Sequence, residues 1–120
     1  MSKTFGREVR LRTRAQFTAV QDHGRRVSSR YVTLLAKTND LGRDRLGIIA
    51  SRRVGSAVMR NRAKRRLREI FRQEQPDVSS AAQPSIDVVA IARADLARAP
   101  FSDVRSDVKA ALGRLRKGTR

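Results

Sequence analysis

Between Arg52 and Arg72 the chain carries nine Lys or Arg side chains against one acid, Glu69. At helical pitch, Met59, Ala63, Leu67, Ile70 and Phe71 fall on one side, while Asn61, Arg62, Arg65, Arg68 and Arg72 fall on the other. The pattern predicts a helix with one packed face and one cationic face, the charge widened at its flanks by Arg60, Lys64 and Arg66. A solvated helix face normally sets an acid four residues before each base, and like charges at that spacing repel. This helix almost lacks acids, so it gives up some intrinsic stability unless a polyanion lies against it. The stripe therefore points to nucleic-acid contact.

The rest of the composition agrees. The formal net charge is +17, a balance that favours polyanionic partners and says nothing about fold. Residues 1–72 hold 20 basic and 5 acidic side chains, and residues 73–120 hold 8 and 6, which assigns the binding surface to the first two thirds. With no cysteine there is no disulfide framework, thiol nucleophile or cysteine metal site. No apolar run has the length of a signal peptide core or a membrane span, and a cytoplasmic protein without a membrane partner is the expectation. A chain of 120 residues suits a single RNA-binding domain over 1–120.

Taken in order, residues 1–12 read as a basic, irregular arm, equally a frayed, flexible charged terminus or an arm touching RNA. Thr13 and Gln16 stand in capping-box positions ahead of Phe17 and Val20, predicting a helix from about Arg14 to Asp22. Gly24 is expected to stop it as a left-handed residue. Period-two alternation predicts a strand over Val27–Lys37, with Tyr31, Thr33 and Leu35 on one side and Val32, Leu34 and Ala36 on the other. A turn over 39–44 and alternation at Leu46, Ile48 and Ala50 suggest an antiparallel hairpin with that strand. Gly47 suggests a close backbone approach.

Ser51–Ser56 forms the loop into the basic helix, with Gly55 as a pivot and Ser56 as N-cap. Arg52 and Arg53 stand just ahead of that helix N-terminus, where phosphate oxygens are favoured. Residues 74–85 read as a surface loop, and Ile86–Ala92 as a strand buried on both faces. Pro100 and Ser102 announce a last helix whose Val104, Val108, Ala111, Leu112 and Leu115 make its packed face. The sum is an α+β sandwich with helices packed on a sheet.

Catalytic chemistry is hard to find. His23 is the only histidine and reads as a helix-end residue without a partner to make it a general base. The carboxylates are scattered, with no spacing for a two-metal centre; Asp103 and Asp107 read as capping charge and surface solubility. Gly42, Gly47 and Gly55 lack phosphate-loop spacing, and no small-molecule substrate site is indicated. The chain reads as a binder of RNA with no visible means of cutting it.

The run Ser51-Arg52-Arg53-Val54-Gly55, continuing through Arg60-Asn61-Arg62 and Lys64-Arg65 to Arg72, closely resembles the signature of the bacterial ribonuclease P protein subunit. That resemblance implies an α-β-β-(β)-α-β-α sandwich on a small mixed sheet, with an extra strand near Val27 and a left-handed βαβ crossover against the usual preference. It implies a function as well: assisting a catalytic RNA, with magnesium ions held mainly by RNA, to remove the 5′ leader of precursor tRNA. On the family's pattern the RNA contacts are Arg52, Arg53, Arg60, Asn61, Arg62, Lys64 and Arg65, with Arg68 added by position. Phe17 matches an aromatic of the leader cleft between the sheet and the first helix. Where further cleft aromatics are expected stand Gln21, Val32 and Leu35, with Tyr31 displaced from the pattern, which implies a grip using shape, polar groups and charge. The alternative is a general ribosomal-type RNA-binding protein, for which the composition fits equally well. An autonomous nuclease lacks a catalytic group, and DNA binding lacks a helix-turn-helix or zinc pattern.

Overall fold

The computed structural model describes residues 10, 11, 13–39, 41–74 and 85–118. Helix α1 (Arg14–His23) leads into strands β1 (Arg25–Ser28), β2 (Val32–Thr38) and β3 (Arg45–Ile49). Helix α2 (Ala57–Gln73), strand β4 (Ile86–Ala92) and helix α3 (Phe101–Gly118) complete the order. The remainder of the expected 1–12 arm, most of the 74–85 loop and the side chain of His23 lie outside the described residues.

The sheet runs β1-β2-β4-β3. β1 pairs antiparallel with β2, β2 antiparallel with β4, and β4 parallel with β3. The expected hairpin between the second strand and the 45–49 strand is therefore absent: β4 separates them, and the hairpin partner of β2 is β1. The physical reason is burial. β4 is apolar on both faces, with six of its seven residues buried, and is best placed in the sheet interior. β3 consequently lies at an edge, where the Leu11 N–H donates to the Leu46 carbonyl at 2.9 Å and covers part of its free side.

Helices occupy both faces. Under α2 and α3 lies the larger core, built from Val32, Leu34 and Ala36 of β2, alternate residues of β3 and β4, and the predicted apolar faces of the two helices. Under α1 lies a smaller cluster of Leu11, Val20, Leu35 and Val89, edged by Phe17, Ile49 and Ile91.

The local signals around α1 are realised except at its end. Thr13 and Gln16 exchange both capping-box hydrogen bonds, at 3.2 and 3.1 Å. Gly24 is not left-handed; its φ is −85°. Glycine is needed there for space instead, because a Cβ would stand 2.3 Å from the Val20 carbonyl oxygen and 2.9 Å from that of Ala36. The helix end is thus pressed directly onto β2.

Asp107 also departs from its expected surface role. Its Oδ2 accepts from the Ser29 hydroxyl at 2.7 Å and the Tyr31 N–H at 2.9 Å, tying α3 to the β1–β2 turn. Asp87 on β4 is buried yet satisfied, accepting from Arg45 Nε and Nη2 at 2.8 and 2.7 Å and from Asn39 at 2.6 Å.

Candidate nucleic-acid interface

The interface begins at a turn that only glycine suits. The Ser51 side chain accepts from the Arg53 N–H at 3.3 Å and caps a short 3-10 turn, Arg52–Val54. Gly55 follows at φ +133°, a conformation other residues rarely adopt, and a Cβ there would lie 3.2 Å from Met59 Cβ. The turn sets Arg52 and Arg53 in solvent and delivers Ser56, whose hydroxyl accepts from the Met59 N–H at 3.4 Å, to the N-cap of α2.

α2 then sorts its residues by face. Ala63, Leu67, Ile70 and Phe71 are buried against the sheet and α3. Asn61, Arg62 and Arg65 are exposed, and Arg60, Lys64 and Arg68 are half-buried at the margin. Among the described residues, none of Arg60, Arg62, Lys64, Arg65 and Arg68 forms an ion pair. Five cations on one helix are thus left without a counter-charge among the described residues.

Two basic residues of α2 are engaged differently. Arg66 Nη1 donates to the carbonyls of Leu96 and Ala99 at 2.9 and 2.7 Å, and its guanidinium lies over the Phe101 ring, 5.8 Å from the centroid. Burial pushes its pKa below the ordinary arginine value, with nearby Arg62 adding to the effect. Arg66 is an anchor between α2 and the start of α3. Arg72 pairs with Glu69 in the i, i+3 relation, and that guanidinium holds the Glu69 carboxyl below its usual range.

The stripe continues past the edge of β3. Lys64 and Arg68 line a notch of about 160 Å³ with Arg10, Phe17, Gly47 and Ile48. Gly47 makes the close approach its position suggests: a Cβ there would stand 2.5 Å from Cε1 and Cζ of Phe17.

On the α1 face of the sheet, beside the helix, lies a wider basin of about 590 Å³. Thr33 and Ile91 are part of its lining, with Arg26, Arg30, Arg53 and Arg93 among its other residues and Asp95 its one acid. Sequence reasoning named only Arg53 of these. Period-two alternation puts Thr33 on the same face as Leu35, but Arg26 joins that face only through the β1–β2 ladder, where it stands opposite Leu35.

The expected cleft residues divide. Phe17 is half-buried at the edge of α1 and borders the notch. Leu35 faces α1 but is packed to 7% exposure, and Gln21 is exposed on the helix. Tyr31 and Val32 are corrected: both belong to the core on the α2 and α3 side, and Val32 is fully buried. Strand alternation sends Val32 away from α1, and the Asp107 clamp on the Tyr31 N–H holds that residue beside α3.

The comparisons with known proteins agree with this geometry. A family model described as Ribonuclease P matches residues 5–116. The ribonuclease P protein component of Citrifermentans bemidjiense is 36% identical over 116 residues, covering 97% of this chain and 96% of the relative. That of Thermotoga maritima is 34% identical over 119 residues, covering 96% and 98%. Among solved structures, the RNase P protein from Thermotoga maritima superposes with a TM-score of 0.72 at 32% identity, covering 90% of this chain and 96% of that one. The Staphylococcus aureus RNase P protein gives 0.74 at 26% identity, covering 88% and 94%. Matched over nearly its whole length in both sequence and fold, the chain belongs to the ribonuclease P protein family.

Proposed function

We propose that this chain works in the cytoplasm as the protein subunit of ribonuclease P, binding the catalytic RNA through α2 and the 5′ leader of precursor tRNA along the α1 face of the sheet. The observation that carries the reading is the set of five α2 cations with no protein counter-charge among the described residues. Each phosphate neutralised by such a cation releases condensed counterions, so binding is driven strongly at low salt and weakens as salt rises. Arg52, Arg53, Arg60, Asn61, Arg62, Lys64, Arg65 and Arg68 are the contacts we assign to the catalytic RNA.

For the leader, the basin beside α1 offers arginines for phosphates and Thr33 for a polar contact, while Phe17 offers an aromatic edge. This chemistry suits a single strand held by charge and shape more than by base stacking. Catalysis is assigned to the RNA, and magnesium mainly to sites on the RNA. Among the described residues no group of three or more His, Cys, Asp or Glu side chains is placed to hold a metal ion. The protein's part is to neutralise phosphates, seat the leader and favour the precursor over the product.

The test is binding of precursor and mature tRNA to the assembled protein and catalytic RNA across a salt titration. Preference for the precursor, with affinity falling steeply between about 50 and 200 mM salt, is the expected result. Equal binding of the two tRNAs would instead indicate a general RNA-binding protein.

A further inference from the structure

The flank of α2 that carries Arg62 and Arg66 does not end at the helix. Across it stands the start of α3, where Phe101, Ser102, Arg105, Ser106 and Lys109 line an open groove of about 420 Å³. Phe101 contributes nothing to the buried cluster, which α3 supplies from Val104, Val108, Ala111, Leu112 and Leu115. It is 37% exposed, one of three large apolar residues in solvent among the described residues. The Arg66 guanidinium braces its ring from the α2 side.

The charged side chains that line this groove, Arg105 and Lys109, are both cationic. Arg105 forms no ion pair among the described residues, and Lys109 is 64% exposed with only a distant contact to Glu74, at 3.9 Å. Glu69, the acid of α2, is engaged by Arg72 and Gln73, and Arg105 stands close enough to help hold its carboxyl below the usual range. An exposed aromatic braced by a guanidinium, with two further cations along the same helix face, combines a stacking platform with a phosphate track.

We propose that this α2–α3 flank is a second RNA contact surface, taking an unpaired segment of the catalytic RNA with one base against Phe101 and its phosphates at Arg105 and Lys109. The proposal rests on the reading that α2 docks on that RNA. The catalytic RNA is the occupant because the groove adjoins α2 at the Arg66–Phe101 contact, while the basin assigned to the leader lies on the opposite face of the sheet. The near-neutral composition of residues 73–120 conceals the surface, since on α3 Asp107 is turned to Ser29 and Tyr31 and Arg116 to Asp44.

Because the chain has no cysteine, Ser106→Cys supplies a single thiol to which an iron chelate can be tethered for hydroxyl-radical cleavage within the complex of protein, catalytic RNA and precursor. Discrete cuts in the catalytic RNA are expected. In parallel, Arg105→Ala with Lys109→Ala should lower the slope of log affinity against log salt by about one to two, and Phe101→Leu, which keeps bulk, should weaken the complex by roughly tenfold. Thermal melts of each variant check that folding is retained.

Unchanged affinity and salt slope in folded variants, with wild type binding tightly, would overturn the proposal while leaving the α2 reading intact. Cuts confined to the leader would overturn it as well. Failure of the wild-type chain to bind the catalytic RNA would remove both.

Discussion

The ring of Phe17 occupies the space that a side chain at position 47 would need, with Cε1 and Cζ each 2.5 Å from where a Cβ on Gly47 would stand. This contact fixes the edge of α1 to strand β3 and closes one end of the notch that Lys64 and Arg68 line. Gly47→Ala should therefore cost about 1–3 kcal/mol of stability by overpacking. Adding Phe17→Ala should recover part of that loss, a coupling that denaturant unfolding of the two single variants and the double variant would measure.

The basic residues of α2 should separate into two groups by experiment. Arg62→Ala and Arg65→Ala should weaken binding to the catalytic RNA by roughly 1–3 kcal/mol while changing unfolding free energy by no more than about 0.5 kcal/mol. Arg66→Ala should do the reverse in emphasis. It leaves the Leu96 and Ala99 carbonyls without their donor, and a stability loss of about 1–3 kcal/mol is expected in a urea melt.

Asp107 joins two segments far apart in sequence. Asp107→Asn keeps the shape and removes the charge that strengthens the bonds from Ser29 and Tyr31. A loss of about 1.5–3 kcal/mol is expected, since hydrogen bonds to charged groups exceed neutral ones. Calorimetric melting of the two proteins at neutral pH would read it.

These clamps mark where the sequence ceased to be legible. The amphipathic faces of α2 and α3, the capping box at Thr13 and the N-cap at Ser56 are local signals, and each appears in the fold as its spacing predicts. Pairing between distant strands is not local. Val32–Thr38 and Arg45–Ile49 read as a hairpin because they are consecutive, and nothing within either segment indicates that Ile86–Ala92 lies between them. Gly24 shows the same limit: its conformation is ordinary, and its requirement comes from the Ala36 carbonyl of another strand. In the candidate site, the α2 stripe was legible from charge alone. The basin was not, because Arg26, Arg30 and Arg93 come from different segments that only the sheet brings together.

The Glu69–Arg72 pair makes a pH prediction of definite sign. Arg72 holds the Glu69 carboxyl below its ordinary value of 4.5. A lowered folded-state pKa stabilises above the ordinary carboxylate range and ceases to do so as pH falls through the folded-state value. Both side chains are well exposed, at 36% and 42%, so solvent screening keeps the effect small. Wild type should melt slightly above Glu69→Gln at pH 7, and the gap should close as pH falls below the ordinary carboxylate range.

The central claim is that the protein enables an RNA to cut. It is tested most directly by 5′ cleavage of a precursor tRNA at low magnesium, comparing protein alone, ribonuclease P RNA alone and the two together. Efficient cleavage only in the mixture is the predicted result. A mixture no faster than the RNA alone, or cleavage by highly purified protein without RNA, would contradict it.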